Sequence, residues 1–122
     1  MTGARVLLCD DCVPVRELVR LVLELEGIEV VSEVGDGGAA IEEAGRCQPD
    51  VVLLDLSMPA MDGLEALPEI CRAAPHAKVV VLSGFDNPLI VERALELGAV
   101  RYVEKGSRPE EIVAAVEEAA GG

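Results

Sequence analysis

Residues 50–63 read DVVLLDLSMPAMDG. Val51–Leu54 is apolar without alternation, the pattern of a strand covered on both faces. The run stops directly on Asp55, and a loop over Leu56–Asp62 precedes a helical pattern carrying Leu64, Leu67, Cys71 and Ala74. A buried strand that ends on a carboxylate and yields to a helix is one unit of a parallel sheet, because parallel neighbours need a crossover, usually helical.

The same arrangement recurs on both sides. Upstream, Arg5–Asp10 (RVLLCD) reads as a buried strand. Pro14 then opens a helix whose stripe Val15, Leu18, Val19, Val22 and Leu25 is expected to face the core, ending at Gly27. Ile28–Val34 is the next strand, and Asp36 can cap a short helix bearing Ala40, Ile41 and Ala44. Downstream, Lys78–Ser83 (KVVVLS) is a strand, and Asn87-Pro88 marks the start of a helix ending at Gly98. Val100–Glu104 follows, and Ser107-Arg108-Pro109-Glu110 has the form of a capping box opening a last helix with Ile112, Val116 and Ala119 inward. Pro68 falls inside the third helix and should cost it a backbone hydrogen bond. Five strands alternating with five helices predict an α/β fold, a parallel sheet with helices on both faces. One domain over 1–122 is expected, with 120–122 as a frayed tail.

Composition narrows the class. A chain of 122 residues buries roughly two-thirds of the surface its unfolded form exposes. With 51% apolar residues but no Trp, one Tyr and one Phe, the core must be built from Val, Leu, Ile and Ala. The formal net charge is -13, and no Lys/Arg cluster occurs, which argues against binding of nucleic acid or an anionic membrane by this domain. Neither a secretory core nor a membrane-length apolar run is present, so a cytoplasmic location with reduced thiols is the expectation. Cys9 and Cys12 have the spacing of half a zinc site, but no second pair or nearby His completes one. Cys9 is expected in the core and Cys12 beside a loop.

In open parallel sheets, ligands bind beyond the carboxyl ends of the strands. There the sequence puts Asp10-Asp11, Asp55, Ser83-Gly84 and Lys105. Three carboxylates this close repel one another unless a cation neutralises them. A hard divalent ion with oxygen ligands suits such a set, and magnesium favours one or two carboxylates with water and phosphate. The chemistry these residues permit is phosphoryl transfer with Asp55 as nucleophile, Lys105 and Ser83 stabilising charge on the phosphoryl oxygens. Singly, each residue has an ordinary reading, such as helix cap, Asx turn, strand end or surface lysine. Five coincidences at one edge are much less ordinary.

Asp10-Asp11, the stretch from Asp55 through Ser57, Pro59 and Asp62 to Gly63, Ser83-Gly84 and Lys105 together resemble the signature of two-component response-regulator receivers, in order and over essentially the whole chain. The resemblance implies a flavodoxin-like doubly wound fold, strand order 2-1-3-4-5, and a signalling switch rather than an enzyme. It implies that Asp55 accepts a phosphoryl group from a sensor-kinase histidine or phosphotransfer protein. Asp11, Asp55 and the Ser57 backbone carbonyl would ligate Mg2+ directly, with Asp10 acting through water. Ser83 would hydrogen-bond the phosphoryl group, Lys105 would pair with it, and Gly84 would leave room for it. Tyr102 matches the aromatic switch position, with output or homodimerisation through the helix 4/strand 5/helix 5 face. Gly106 departs from the family's usual proline, and a trans Lys105–Gly106 bond is expected. Lys-Gly-Ser before a Pro-Glu-Glu helix start is similar to the NarL/FixJ subgroup, whose full-length members carry a C-terminal DNA-binding domain. A stand-alone receiver and one cut from a longer regulator both remain open.

Three other functions fit less well. A dehalogenase-like phosphatase would need a second acid at the position of Ser57. A flavin binder would need a Ser/Thr/Gly-rich loop where Asp10-Asp11 would repel its phosphate. A receiver acting only as an unphosphorylated interaction module is disfavoured by the complete acidic set.

Overall fold

The alternation is realised as β1 (Arg5–Cys9), α1 (Val13–Leu25), β2 (Glu29–Val34), α2 (Gly37–Cys47), β3 (Val51–Asp55), α3 (Gly63–Ala73), β4 (Lys78–Ser83), α4 (Pro88–Glu96), β5 (Ala99–Glu104) and α5 (Pro109–Gly121). The structure is a computed structural model describing residues 3–56, 63–84 and 88–121, with Ser83 described by its backbone alone. All strand pairs are parallel, in the order β2-β1-β3-β4-β5. Chain order reverses at β1, which pairs with both β2 and β3, so the crevice outside the carboxyl ends of β1 and β3 is the switch point.

Strand side chains alternate between two cores. Leu7, Cys9, Val52, Leu54, Val79 and Val81 join residues of α2, α3 and α4 on one face. Val6, Leu8, Val51, Leu53, Val80 and Leu82 join α1 and α5 on the other. Both cores are aliphatic, so the near-absence of aromatics is met by Val, Leu and Ile packed in layers. Among the described residues, no helix is long and apolar enough to cross a membrane.

Several local expectations shift. In α1, Val15, Val19 and Val22 face the core as read, but Leu18 and Leu25 are 57% and 75% exposed, while Leu23 is fully buried. The i, i+4, i+7, i+8 series 15-19-22-23 follows the 3.6-residue period, whereas the 15-18-22-25 series drifts off the face. Asp10 lies just past the end of β1. Asp36 Oδ1 does accept from Ala39 N, at 2.8 Å. Pro68 sits inside α3, which continues through it to Ala73. The helix-start residue Asn87 lies outside the described residues.

The capping box does not form. α5 starts at Pro109, because proline favours the first helical position and drives its predecessor out of the helical region, so the cap position falls on Arg108 rather than Ser107. At the other end, α5 runs to Gly121 instead of fraying from residue 120, with Ala119 and Ala120 packed against the α1/α5 core. The Lys105–Gly106 bond is trans. All four cysteines are free. Burial, then the neighbouring Asp10, push the Cys9 thiol well above its ordinary range, which suits an inert core residue; Cys12 is exposed.

Candidate functional site

Asp10 follows β1 into the switch-point crevice and is only 1% exposed. Besides the bond from Lys105 Nζ, three hydrogen bonds fix it. Its N–H donates to Val34 O at 3.0 Å, its carbonyl accepts from Arg16 Nη1 at 2.8 Å, and Oδ1 accepts from Cys12 N at 2.9 Å. Asp11, next in the chain, is exposed. Asp55 closes β3 opposite Leu82 of β4 and is fully buried. The start of α3 presses on the same corner: Gly63 N donates to Leu56 O at 3.2 Å. A Cβ at Gly63 would lie 2.6 Å from Leu56 Cα and 2.7 Å from Asp55 O, so only glycine allows this approach.

Lys105, just beyond β5, reaches across the sheet edge. Its Nζ lies 2.8 Å from Asp55 Oδ2, and 3.2 Å and 3.3 Å from Asp10 Oδ2 and Oδ1. One carboxylate oxygen each from Asp10, Asp11 and Asp55 fall within 4.8 Å of one another. At that separation two unit charges repel by about 3.5 kcal/mol at an effective dielectric of 20. One ammonium against three carboxylates leaves the edge doubly negative.

The titration of these groups reflects that imbalance. Burial, and the nearby Asp55 charge, raise the Asp10 carboxyl above its ordinary value, against the Cys12 N–H bond and Lys105. For Lys105, burial pulls downward, but the hydrogen bond and charge of Asp55, followed by Asp10, outweigh it and raise the ammonium overall. Asp10 Oδ2 is buried and receives no hydrogen bond. A buried carboxylate oxygen with an ammonium 3.2 Å away but no hydrogen bond, beside two further carboxylates, fits a hard divalent cation such as Mg2+.

Of the residues the sequence singled out, Asp10, Asp11, Asp55 and Lys105 are brought together. Ser57, like the rest of 57–62, lies outside the described residues, as does the Ser83 side chain. Ser83 closes β4 opposite Glu104. Among the described residues, a Cβ at Gly84 would meet nothing within 4 Å. Tyr102 is half-buried on β5, paired with Val81, and packs against the α2/α3/α4 core. Sequence reading overlooked two supporting residues, Arg16 and Gly63. Gly63 had a visible signal in its place at the end of the Asp55 stretch; Arg16 is one of two arginines on α1 and had none.

Residues 6–117 match the family described as the response regulator receiver domain. The chain is 41% identical over 119 residues to an uncharacterized transcriptional regulatory protein, YxjL, of Bacillus subtilis, covering 97% of this chain and 55% of that protein. It is 33% identical over 114 residues to the chemotaxis protein CheY of Thermotoga maritima, covering 93% and 95%. The solved receiver domain of the putative response regulator NarL from Mycobacterium tuberculosis superposes with a TM-score of 0.93 at 40% identity, covering 100% of this chain and 99% of that one. The chain therefore spans about half the length of YxjL and nearly all of CheY. With the strand order, the acidic edge and the family match in agreement, this chain belongs to the response regulator receiver family.

Proposed function

We propose that residues 1–122 act as one phosphorylation switch in which Asp55 is the phosphoacceptor. The observation that carries this reading is the convergence of Asp10, Asp11 and Asp55 within 4.8 Å, with Lys105 Nζ 2.8 Å from Asp55. A carboxylate oxygen of Asp55 attacks the phosphorus of a phosphohistidine on a sensor kinase or phosphotransfer protein. The P–N bond breaks, its electron pair stays on the imidazole nitrogen, and that nitrogen takes up a proton. Lys105 then pairs with the phosphoryl oxygens, and Ser83 donates a hydrogen bond to them. Asp10, Asp11, Asp55 and the Ser57 carbonyl would hold Mg2+, which neutralises charge on the transferring group. Substrate turnover beyond its own phosphorylation and dephosphorylation is not part of this role, and the setting is the cytoplasm.

Output is assigned to the α4/β5/α5 face. Phosphorylation adds nearly two negative charges at Asp55. The Ser83 hydrogen bond that follows is worth about 1.5–3 kcal/mol. Tyr102, on the neighbouring strand, relays the change to a partner, a second copy or a DNA-binding output domain. The donor docks beside the first turns of α1, where Leu18 and Leu21 are 57% and 54% exposed. The test is intact mass after acetyl phosphate treatment, with and without Mg2+. One phosphoryl mass should be added in the presence of Mg2+ and none in Asp55→Asn; labelling that persists in the variant refutes the assignment.

A further inference from the structure

Arg16 sits on the first turns of α1, outside the acidic cluster, yet it holds the backbone from which that cluster hangs. Its Nη1 donates to Asp10 O at 2.8 Å and its Nε to Glu33 Oε1 at 3.2 Å. The β1 ladder ends at Cys9, so the Asp10 carbonyl has no strand partner; among the described residues its donor is Arg16. That carbonyl belongs to the Asp10–Asp11 peptide, whose planarity ties its direction to the path by which the chain enters Asp11. The Asp11 side chain is exposed and makes no hydrogen bond among the described residues, so the backbone alone aims it. Space for the guanidinium is reserved on the far side: a Cβ at Gly35 would lie 3.3 Å from Arg16 Nη1.

We propose that Arg16 is the positioning residue of the metal site, setting the orientation of Asp11 through the Asp10–Asp11 peptide while Glu33 of β2 anchors its guanidinium. The inference rests on the reading of the acidic edge as a Mg2+ site. Electrostatics and positioning predict opposite signs. Removing a cation near an acidic cluster should tighten binding of a divalent cation if charge alone mattered. Loss of a group that orients a ligand weakens it.

Arg20 supplies the matched control. It also pairs with Glu33, through Nη1 and Oε2, carries the same charge and lies on the same helix, but has no bond to the Asp10 carbonyl. The experiment is calorimetric titration of the whole chain with Mg2+ alone. Arg16→Met should weaken Mg2+ binding by about tenfold or more, the usual effect of losing a group that orients metal ligands, while Arg20→Met should bind as wild type or slightly tighter. Arg16→Lys keeps the charge but cannot serve both the carbonyl and Glu33, so its affinity should fall between wild type and Arg16→Met. If Arg16→Met does not fold, as judged by circular dichroism, Arg16→Lys is compared with Arg20→Lys and should bind more weakly. Equal Mg2+ affinities within the Arg16 and Arg20 pair, or tighter binding by the Arg16 variants, overturn the positioning role. Absence of Mg2+ binding by the wild type overturns the site reading, and this inference with it.

Discussion

Replacing Asp10 with asparagine should make the metal-free protein more stable. The substitution keeps the side-chain shape and the bond from Cys12 N to Oδ1 at 2.9 Å, but removes a charge that is 1% exposed. Three effects compete. Repulsion from the nearby carboxylates, with ligand oxygens within 4.8 Å, is worth about 3.5 kcal/mol per pair at an effective dielectric of 20. Attraction to Lys105 at 3.2 Å is about 5 kcal/mol on the same scale. The Lys105 attraction exceeds the Asp55 repulsion by about 1.5 kcal/mol, and the repulsion from Asp11, exposed and more screened, offsets that remainder, leaving the removal of a carboxylate from water, which costs several kcal/mol even after relaxation. The balance favours the neutral side chain by about 1–3 kcal/mol.

The sign agrees with the raised Asp10 carboxyl, whose first cause is burial. A raised carboxyl means that the folded state is favoured below the ordinary carboxylate range, and that this advantage is lost as pH rises through the folded value. At neutral pH the charged Asp10 is therefore a liability without metal. Thermal unfolding at pH 7 in chelator should place Asp10→Asn about 5–10 °C above wild type for a domain of this size. Mg2+ should reverse much of the difference, since a ligand at 100 times its Kd adds about 2.7 kcal/mol to the state that binds it, and the variant lacks one anionic ligand. A variant that melts below wild type in chelator would mean that Lys105 outweighs burial, and would refute the reasoning.

Three further outcomes are expected. Leu23→Ala, at a fully buried position, should cost about 2–5 kcal/mol in urea unfolding, whereas Leu18→Ala, at 57% exposure, should stay within about 0.5 kcal/mol. Gly63→Ala should destabilise the fold by about 1–3 kcal/mol through overpacking and also slow acetyl phosphate labelling of Asp55, because the added methyl displaces backbone at Leu56 and Asp55; normal labelling would show that α3 does not set the acceptor. Glu43 is lowered to about 2 by hydrogen bonds from Arg46 and then Ser32. Its contribution is present above the ordinary glutamate value and is lost as pH falls toward 2, so Glu43→Gln should flatten that part of the acid unfolding curve.

Strand and helix identity was legible because it rests on local signals. Unbroken apolar runs such as Val51–Leu54 have one stable use, and Pro14, Gly27 and Gly98 punctuate the chain by backbone constraints that act within a few residues. The chemistry at the sheet edge was legible for a related reason. Strand ends are set by strand lengths, and parallel crossovers put every strand's carboxyl end on one edge, so Asp10, Asp11, Asp55 and Lys105 had to converge once the alternation was read.

Tertiary structure decided what depends on direction rather than order. Which α1 leucines face the core turns on helix rotation against α5 and the sheet, and a helix this rich in Val and Leu admits more than one rotation; packing selected Leu23 and left Leu18 and Leu25 in solvent. The start of α5 was a contest between a serine cap and a proline at the first helical position, which the proline's fixed geometry won. The roles of Arg16 and Gly63 come from contacts between separate elements, a guanidinium on α1 against the end of β1 and a helix start against the end of β3. Such contacts leave no periodic trace along the chain, because the distance that matters is measured across the fold.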